Sequence, residues 1–530
     1  MKPKDEAKYR SPMAEAVFEA YRRGEEDETM NPLVLVGRDG KPVGAPDPGD
    51  SLIFYDIRGE REVEISEAFV EKDFPHFPVR EWLDLRYVTM IRYHEKLNAR
   101  VAFPPIGAVA GTLSETVGRA GLRQAKVVET EKLIHLTYFL NGKNRDPFPS
   151  EEHHGIPSPT VPDYTAVPEL EAEKVADTII DRLGDPGIAL ITANFANMDV
   201  LGHLEDDDAA IRAVETVDRC VGRVVEAARA AGADVLITAD HGTVEKRLYP
   251  EGTKDTGHTD SPVPLVYISA GGVDGVTCRE KGALTDVAPT ALALLGLKRP
   301  KEMTGENLLG GVPERKGRRL LLLIADGWGY REETHGNLVA TANTPKMDRY
   351  LAECPHGLLA AAGEAVGLPE GTVGNSEAGH LHIGAGRVIY SDRLRIDKAI
   401  ADGSFRKNEA FLWAMDEAAQ RDKTLHLLGI VSFFSSHGSL DHLMELLETA
   451  KERGVQRLRV HSLLGRRGER PEAGAAYIEA VDDKCRELGL GVVCTVTGRY
   501  WALDREENWD RVEKAYRAIA FGDGRTVPQA

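Results

Sequence analysis

The chain has 530 residues and a formal net charge of -19, a length that excludes one ordinary core and predicts two domains. The negative charge disfavours nucleic acid and anionic membranes as partners, because both would be repelled. If the substrate is itself anionic, arginines should be concentrated locally. Five widely spaced cysteines, Cys220, Cys278, Cys354, Cys485 and Cys494, contain no Cys-x-x-Cys pair and fit reduced thiols in a cytoplasm. Met1 to Arg10 is charged, and no apolar run approaches membrane-spanning length, so a soluble cytoplasmic protein is expected.

In chain order, the spacing of Met13, Ala16, Val17 and Tyr21 predicts a helix over 11–23, followed by a strand at Leu33 to Val36. A second strand, Leu52 to Ile57, runs into Arg58-Gly59-Glu60-Arg61. Two arginines three apart at a strand end can grip a carboxylate or phosphate; read alone, they form a solvated charged turn. Short strands at Tyr87 to Tyr93 and Arg100 to Phe103 close on Pro104-Pro105, read as a hinge.

Beyond it, helices and strands alternate, as in an α/β layer with parallel strands. Lys126 to Glu129 is a strand leading into Glu131-Lys132 and the run Ile134 to Leu140. Gly187 to Ala193 is a strand reaching Asn194, Asn197 and Asp199. A long helix covers 209–231 with Gly232 as its stop. Val235 to Thr238 delivers Asp240-His241-Gly242; Val263 to Ile268 is a strand, and 285–295 a helix capped by Thr285. Gly310 to Arg319 reads as a linker. After it come the strand Leu320 to Ile324 before Asp326-Gly327-Trp328-Gly329, a helix at 345–351, and Ser376 in a loop between small residues. Strands at Leu425 to Val431, Leu458 to Leu464 and Val492 to Val496 follow, then a helix at 509–520 and a polar tail.

Ser376 lies in Gly374-Asn375-Ser376-Glu377-Ala378-Gly379-His380 without the Gly-x-Ser-x-Gly elbow of an α/β-hydrolase. Its hydroxyl needs a base or a metal to become a nucleophile. Asp199, Asp240 and Asp326 each follow an apolar strand, where ligands of open α/β sheets collect. With His203, His241 and His258 they make a donor set suited to Zn²⁺ or Mn²⁺. Two such ions can activate a serine and neutralise a transferring phosphoryl group.

These motifs together resemble the cofactor-independent (2,3-bisphosphoglycerate-independent) phosphoglycerate mutases of the alkaline phosphatase superfamily, in circularly permuted order. The 326–329 and 374–380 motifs, which open that family, here follow the linker; those at 199–203, 238–242 and 256–259, which close it, precede it. The resemblance implies an α/β fold: an alkaline-phosphatase-like, mainly parallel sheet flanked by helices, plus a second α/β substrate-binding domain. The second domain would comprise 1–105 and 393–530, the metal domain 106–309 and 320–392, and 310–319 would join the family's usual termini. The resemblance assigns one metal to Asp199, His203 and His258, and the other to Asp326, Asp240, His241 and Ser376. It makes Ser376 the nucleophile, with Lys132 beside the transferred phosphate. Arg58, Arg61, His437, Arg467, Arg499 and Arg505 become substrate contacts, which displaces the charged-turn reading.

The implied function is interconversion of 3-phosphoglycerate and 2-phosphoglycerate through a phosphoserine, by a monomer using two divalent ions, Mn²⁺ before Mg²⁺ or Zn²⁺. The partner is a small phosphorylated carboxylate, with no nucleic acid or membrane. The chain departs from the family where Phe433, Gly465 and Gly468 replace acidic residues. That keeps open a phosphatase, or a phosphotransferase acting on a different phosphorylated or phosphonylated carboxylic acid.

Overall fold

A computed structural model describes residues 9–80, 83–313, 317–432, 437–465 and 472–529. The chain folds as two compact units, one of Met1–Pro105 with Arg395–Ala530 and one of Ile106–Leu394. Each is built on an eight-stranded sheet.

In the 106–394 unit the strand order is Lys281–Ala283, His356–Ala360, Val263–Ile268, Ala233–Thr238, Arg319–Ala325, Ile188–Phe195, Arg123–Glu129, Glu151–Ile156. Only Val263–Ile268 is antiparallel to its neighbours. The central strands are apolar and buried along their length, as strands covered on both faces must be. The strand after the linker sits inside the sheet, Leu323 facing Ala193 on one side and Ile237 on the other. The helix Asp207–Ala230 is capped by Asp206, whose side chain accepts from Ala209 N–H, and buries Ala210, Val214, Val217, Val221 and Val224. Thr285 does not cap the next helix. A 3₁₀ turn at Leu284–Asp286 precedes Val287–Leu294, and Asp286 accepts from Ala283 and Glu306 N–H, both at 2.8 Å. The acid, with two acceptor oxygens, ties the turn to the segment at Glu306 and does not cap the helix itself.

In the other unit the order is Arg525–Pro528, Leu33–Val36, Val493–Gly498, Arg457–Leu464, Thr424–Ile430, Ser51–Phe54, Arg86–Ile91, Arg100–Phe103. The six strands from Val493–Gly498 onward are parallel. The polar tail is in fact the edge strand, paired with Leu33–Val36 and anchored by buried Val527. Pro528 is tolerated because only an edge lacks a ladder bond to lose. The second strand stops at Phe54, short of Ile57, because Ile57 N–H turns to the carbonyl of His437 at 2.5 Å.

Because Leu322 is fully buried in a central strand, Leu322→Ala should lower that unit's unfolding free energy by about 2–5 kcal/mol. Denaturant titration measures it, and a loss under about 1 kcal/mol would contradict a packed position.

Candidate metal centre and nucleophile

Three strand ends and one helix start build the site in the 106–394 unit. Asp326 directly follows Arg319–Ala325, Asp240 and His241 lie just beyond Ala233–Thr238, and Asp199 sits in the first turn of the helix Asn197–Gly202 after Ile188–Phe195. Ser376 is not in a loop. It opens the helix Ser376–Ala385, and the Asn375 side chain caps it by accepting from Ala378 N–H at 2.8 Å. Flanking glycines look like a loop signal, but Gly379 is needed for close packing: a Cβ there would stand 2.4 Å from the Asp240 carbonyl oxygen. At such a helix start, free backbone amides and the dipole favour an anion.

The polar atoms converge tightly. Ser376 Oγ is 2.6 Å from Lys132 Nζ and 2.9 Å from His241 Nε2. Lys132 Nζ also donates to Asp199 Oδ2 at 2.6 Å and Asp326 Oδ1 at 2.9 Å. His241 Nε2 lies 3.4 Å from Asp326, 3.5 Å from Asp240 and 3.6 Å from Asp199. His258 Nε2 is 2.9 Å from Asp199 Oδ1, and His203 Nε2 is 3.1 Å from His258 Nε2 and 3.3 Å from Asp199 Oδ1. All seven expected ligands and Lys132 therefore meet. Two sets have donor atoms within 4.8 Å of one another: Asp199, His241, His258 and Asp240, His241, Asp326. His241 belongs to both, whereas the sequence reading gave it to one.

Charge explains the titration. Burial disfavours the His241 cation, but Asp240, Asp326 and Asp199 outweigh it and hold the ring up at about 9. Burial likewise opposes a charged Lys132, yet Asp326, Asp199 and Asp240 raise it above the ordinary lysine value. Asp199 is buried but pulled well below the usual carboxylate range by His203, His258 and Lys132. Asp240 Oδ2 is sealed from solvent, with His380 Nδ1 at 3.1 Å and His241 Nε2 at 3.5 Å. A buried carboxylate oxygen among nitrogen and oxygen donors fits a divalent cation.

Other residues complete the site. Asn194 Nδ2 donates to Asp326 Oδ2 at 2.8 Å, and His380 Nδ1 lies 3.1 Å from Asp240 Oδ2. Glu245, fully buried, accepts from Thr243 N–H at 2.9 Å and from the Thr259 hydroxyl, tying the loop of His241 to that of His258. A Cβ at Gly329 would stand 2.2 Å from its carboxyl carbon. Asn194 and His380 were legible as strand-end and motif residues, but nothing in sequence singled out Glu245. His135 and Tyr164 join Lys132 and Ser376 in lining a cleft of about 500 Å³. Burial, with His380 and Lys132 nearby, lowers His135 to about 4.

The expected substrate contacts lie in the other unit. Arg58 and Arg505 both pair with Glu60, at 2.6 and 3.1 Å, Arg499 pairs with Glu28 at 2.9 Å, and Arg61 donates to the Leu503 carbonyl at 3.2 Å. Burial, then Arg505, Arg499 and Arg58, lower Arg61, so the four guanidinium groups form one cluster. His437 is buried beside Glu62 at 2.8 Å. Arg467 and Phe433, with Gly468, lie outside the described residues.

Comparison with known proteins agrees with this geometry. The metalloenzyme superfamily matches residues 49–299, and the BPG-independent PGAM N-terminus matches residues 2–95 and 396–530. A 2,3-bisphosphoglycerate-independent phosphoglycerate mutase of Methanosarcina acetivorans is 41% identical over 305 residues, 57% of this chain and 58% of that protein. One from Moorella thermoacetica is 41% identical over 297 residues, 56% and 57% of the two chains. The chain thus spans a little over half the length of the curated relatives it matches. A solved Leishmania mexicana phosphoglycerate mutase superposes with a TM-score of 0.38 and 27% identity over 52% of this chain and 53% of that one, an overlap too small to bear on the fold.

The chain is an α/β protein whose residues 49–299 match the metalloenzyme superfamily, and its buried carboxylate and imidazole donors form a divalent-metal site. The relatives it resembles, at 41% identity, are named 2,3-bisphosphoglycerate-independent phosphoglycerate mutases.

Because a metal must displace the proton that His241 holds up to about 9, affinity for Mn²⁺ should rise with pH until that value, by about tenfold per unit from this group alone. Calorimetric titration at several pH values measures it, and a flat profile would contradict His241 as a ligand. Glu245→Gln should weaken metal binding by about 10- to 100-fold, read by the same titration, with little change in the circular dichroism spectrum.

Proposed function

We propose that the protein is a metal-dependent phosphotransferase that interconverts 3-phosphoglycerate and 2-phosphoglycerate through a phosphoserine at Ser376. The observation that carries this reading is the Ser376 oxygen, 2.6 Å from Lys132 Nζ and 2.9 Å from His241 Nε2, at a helix start among two sets of metal donors. Bound divalent ions, with Mn²⁺ first among them, supply the Lewis acidity that favours the serine alkoxide and offsets phosphoryl charge.

The side chains of the protein do the rest. Asp199, His203 and His258 would hold one ion and Asp240, His241, Asp326 and Ser376 the other. Lys132 steadies Ser376 Oγ and stays cationic, a fixed positive charge for the phosphoryl oxygens. Ser376 Oγ attacks phosphorus, the bond to one glycerate oxygen breaks, and the other glycerate hydroxyl takes the phosphoryl group back, exchanging one O–H for one O–P bond. Arg58, Arg61, Arg499 and Arg505 offer the positive charge that a glycerate carboxylate requires. Glu60 and Glu28 occupy that charge until substrate replaces them.

Circular permutation accounts for the order of the motifs and for the two-part match at 2–95 and 396–530. It also fits relatives aligned over little more than half their length, since a co-linear alignment follows only one side of a permuted junction. Five unpaired cysteines support a cytoplasmic setting, and we take the working form to be a monomer. Phe433 and Gly468, where the family carries acids, favour a second reading, the same transfer chemistry on a different phosphorylated or phosphonylated carboxylic acid or release of phosphate to water.

Purified protein with Mn²⁺ and 3-phosphoglycerate should yield 2-phosphoglycerate without free phosphate. Phosphate alone would select the phosphatase reading, and neither product another substrate. Ser376→Ala should abolish turnover; retained turnover would refute the phosphoserine. Arg61→Met should raise KM by about 10- to 100-fold, the loss of one charged hydrogen-bond pair, with a smaller change in kcat.

A further inference from the structure

A second set of donor atoms occurs in the unit of 1–105 and 395–530, apart from the phosphoryl-transfer residues. Asp56 lies just beyond the strand Ser51–Phe54, Glu62 immediately precedes the helix Val63–Val70, and His437 precedes the helix Leu440–Glu452. Asp56 and His437 thus follow neighbouring parallel strands, Ser51–Phe54 and Thr424–Ile430, on the side where α/β sheets collect ligands. One donor atom from each of the three falls within 4.8 Å of the others. Asp56 and Glu62 are fully buried and His437 is 1% exposed.

Two features go beyond a chance acidic cluster. Asp56 Oδ1 accepts from Ile430 N–H at 2.8 Å, but Asp56 Oδ2 has no hydrogen-bond partner among the described residues although it is sealed from water. A buried carboxylate oxygen left that way is costly unless a cation reaches it. Room is kept around this side chain, since a Cβ at Gly429 would stand 2.7 Å and one at Gly438 3.1 Å from Asp56 Oδ1. The neighbouring arginines do not supply the missing partner. Arg58 and Arg505 are on Glu60, Arg499 on Glu28, and Arg61 on the Leu503 carbonyl. Glu62 Oε2 takes the Arg61 backbone N–H, at 3.1 Å. His437 Nδ1 stands 2.8 Å from Glu62 Oε1, the same crowding seen where His258 meets Asp199 at 2.9 Å in the metal centre.

From this geometry we infer that Asp56, Glu62 and His437 hold a further divalent transition-metal ion, separate from those at Ser376. Two carboxylate oxygens and one imidazole nitrogen suit Mn²⁺, Fe²⁺ or Zn²⁺ rather than an all-oxygen or thiolate ion. The two carboxylates neutralise the ion, so the cluster of Arg58, Arg61 and Arg499 keeps its charge for an anion. His437 then serves the metal instead of touching substrate directly. The inference does not depend on the proposed mutase activity.

Equilibrium dialysis against Mn²⁺, with metal measured by mass spectrometry, tests it. Asp56→Asn/Glu62→Gln should bind one equivalent less than wild type, and Asp199→Asn/Asp240→Asn/Asp326→Asn, which removes carboxylates from both donor sets at Ser376, should still retain one. Equal content in wild type and Asp56→Asn/Glu62→Gln would overturn the inference. Should that variant not fold, Co²⁺ added to Asp199→Asn/Asp240→Asn/Asp326→Asn protein should give visible d–d absorption that His437→Gln in the same background removes; no absorption, or absorption unchanged by His437→Gln, overturns it. Wild-type protein binding only the ion lost in Asp56→Asn/Glu62→Gln would uphold this site while sinking the metal-assisted transfer at Ser376.

Discussion

Three carboxylates, Asp199, Asp240 and Asp326, are buried together at the floor of a cleft, and their mutual repulsion is the constraint the metal domain is built to meet. Like charges at such separations cannot all stay ionised in a low-dielectric interior without cations between them. Lys132 supplies one positive charge and His241 a second while its ring is protonated. Both are held by the carboxylates they neutralise. The rest of the unit serves to keep these groups together: parallel strands end side by side, Gly379 admits the helix of Ser376 against Asp240, and Glu245 fastens the loops of His241 and His258 from behind. A nucleophilic hydroxyl placed in that field gains from whatever cation satisfies it.

Much of this was legible in the sequence because the governing signals are local. The runs Leu320 to Ile324 and Val235 to Thr238 are continuous and apolar, which marks strands buried on both faces, and the acids follow at once. Where signals were non-local, reading failed. Arg525–Pro528 has one apolar anchor and becomes a strand only through pairing with Leu33–Val36, nearly the whole chain away. The glycines flanking Ser376 signal a loop, whereas the capping by Asn375 makes it a helix start. His241 standing between both donor sets, and the link Glu245 makes, depend on distances that no spacing encodes.

The arginine cluster in the other unit shows a complementary economy. Four guanidinium groups would repel one another strongly, yet Glu60 and Glu28 occupy three of them. An incoming anion therefore exchanges one set of ion pairs for another rather than meeting bare charge. Such an exchange discriminates by geometry more than by strength, because a planar carboxylate must match the fork of a guanidinium to displace one already there.

The placement of Arg319–Ala325 between Ile188–Phe195 and Ala233–Thr238 has a consequence during synthesis. Both flanking strands leave the ribosome well before the strand that joins them. Until then each presents an unpaired backbone edge, the kind of surface that invites wrong pairing. Chaperone demand should thus peak midway through translation, after residue 238 is made and before residue 325, when the metal-binding unit still lacks its middle strand.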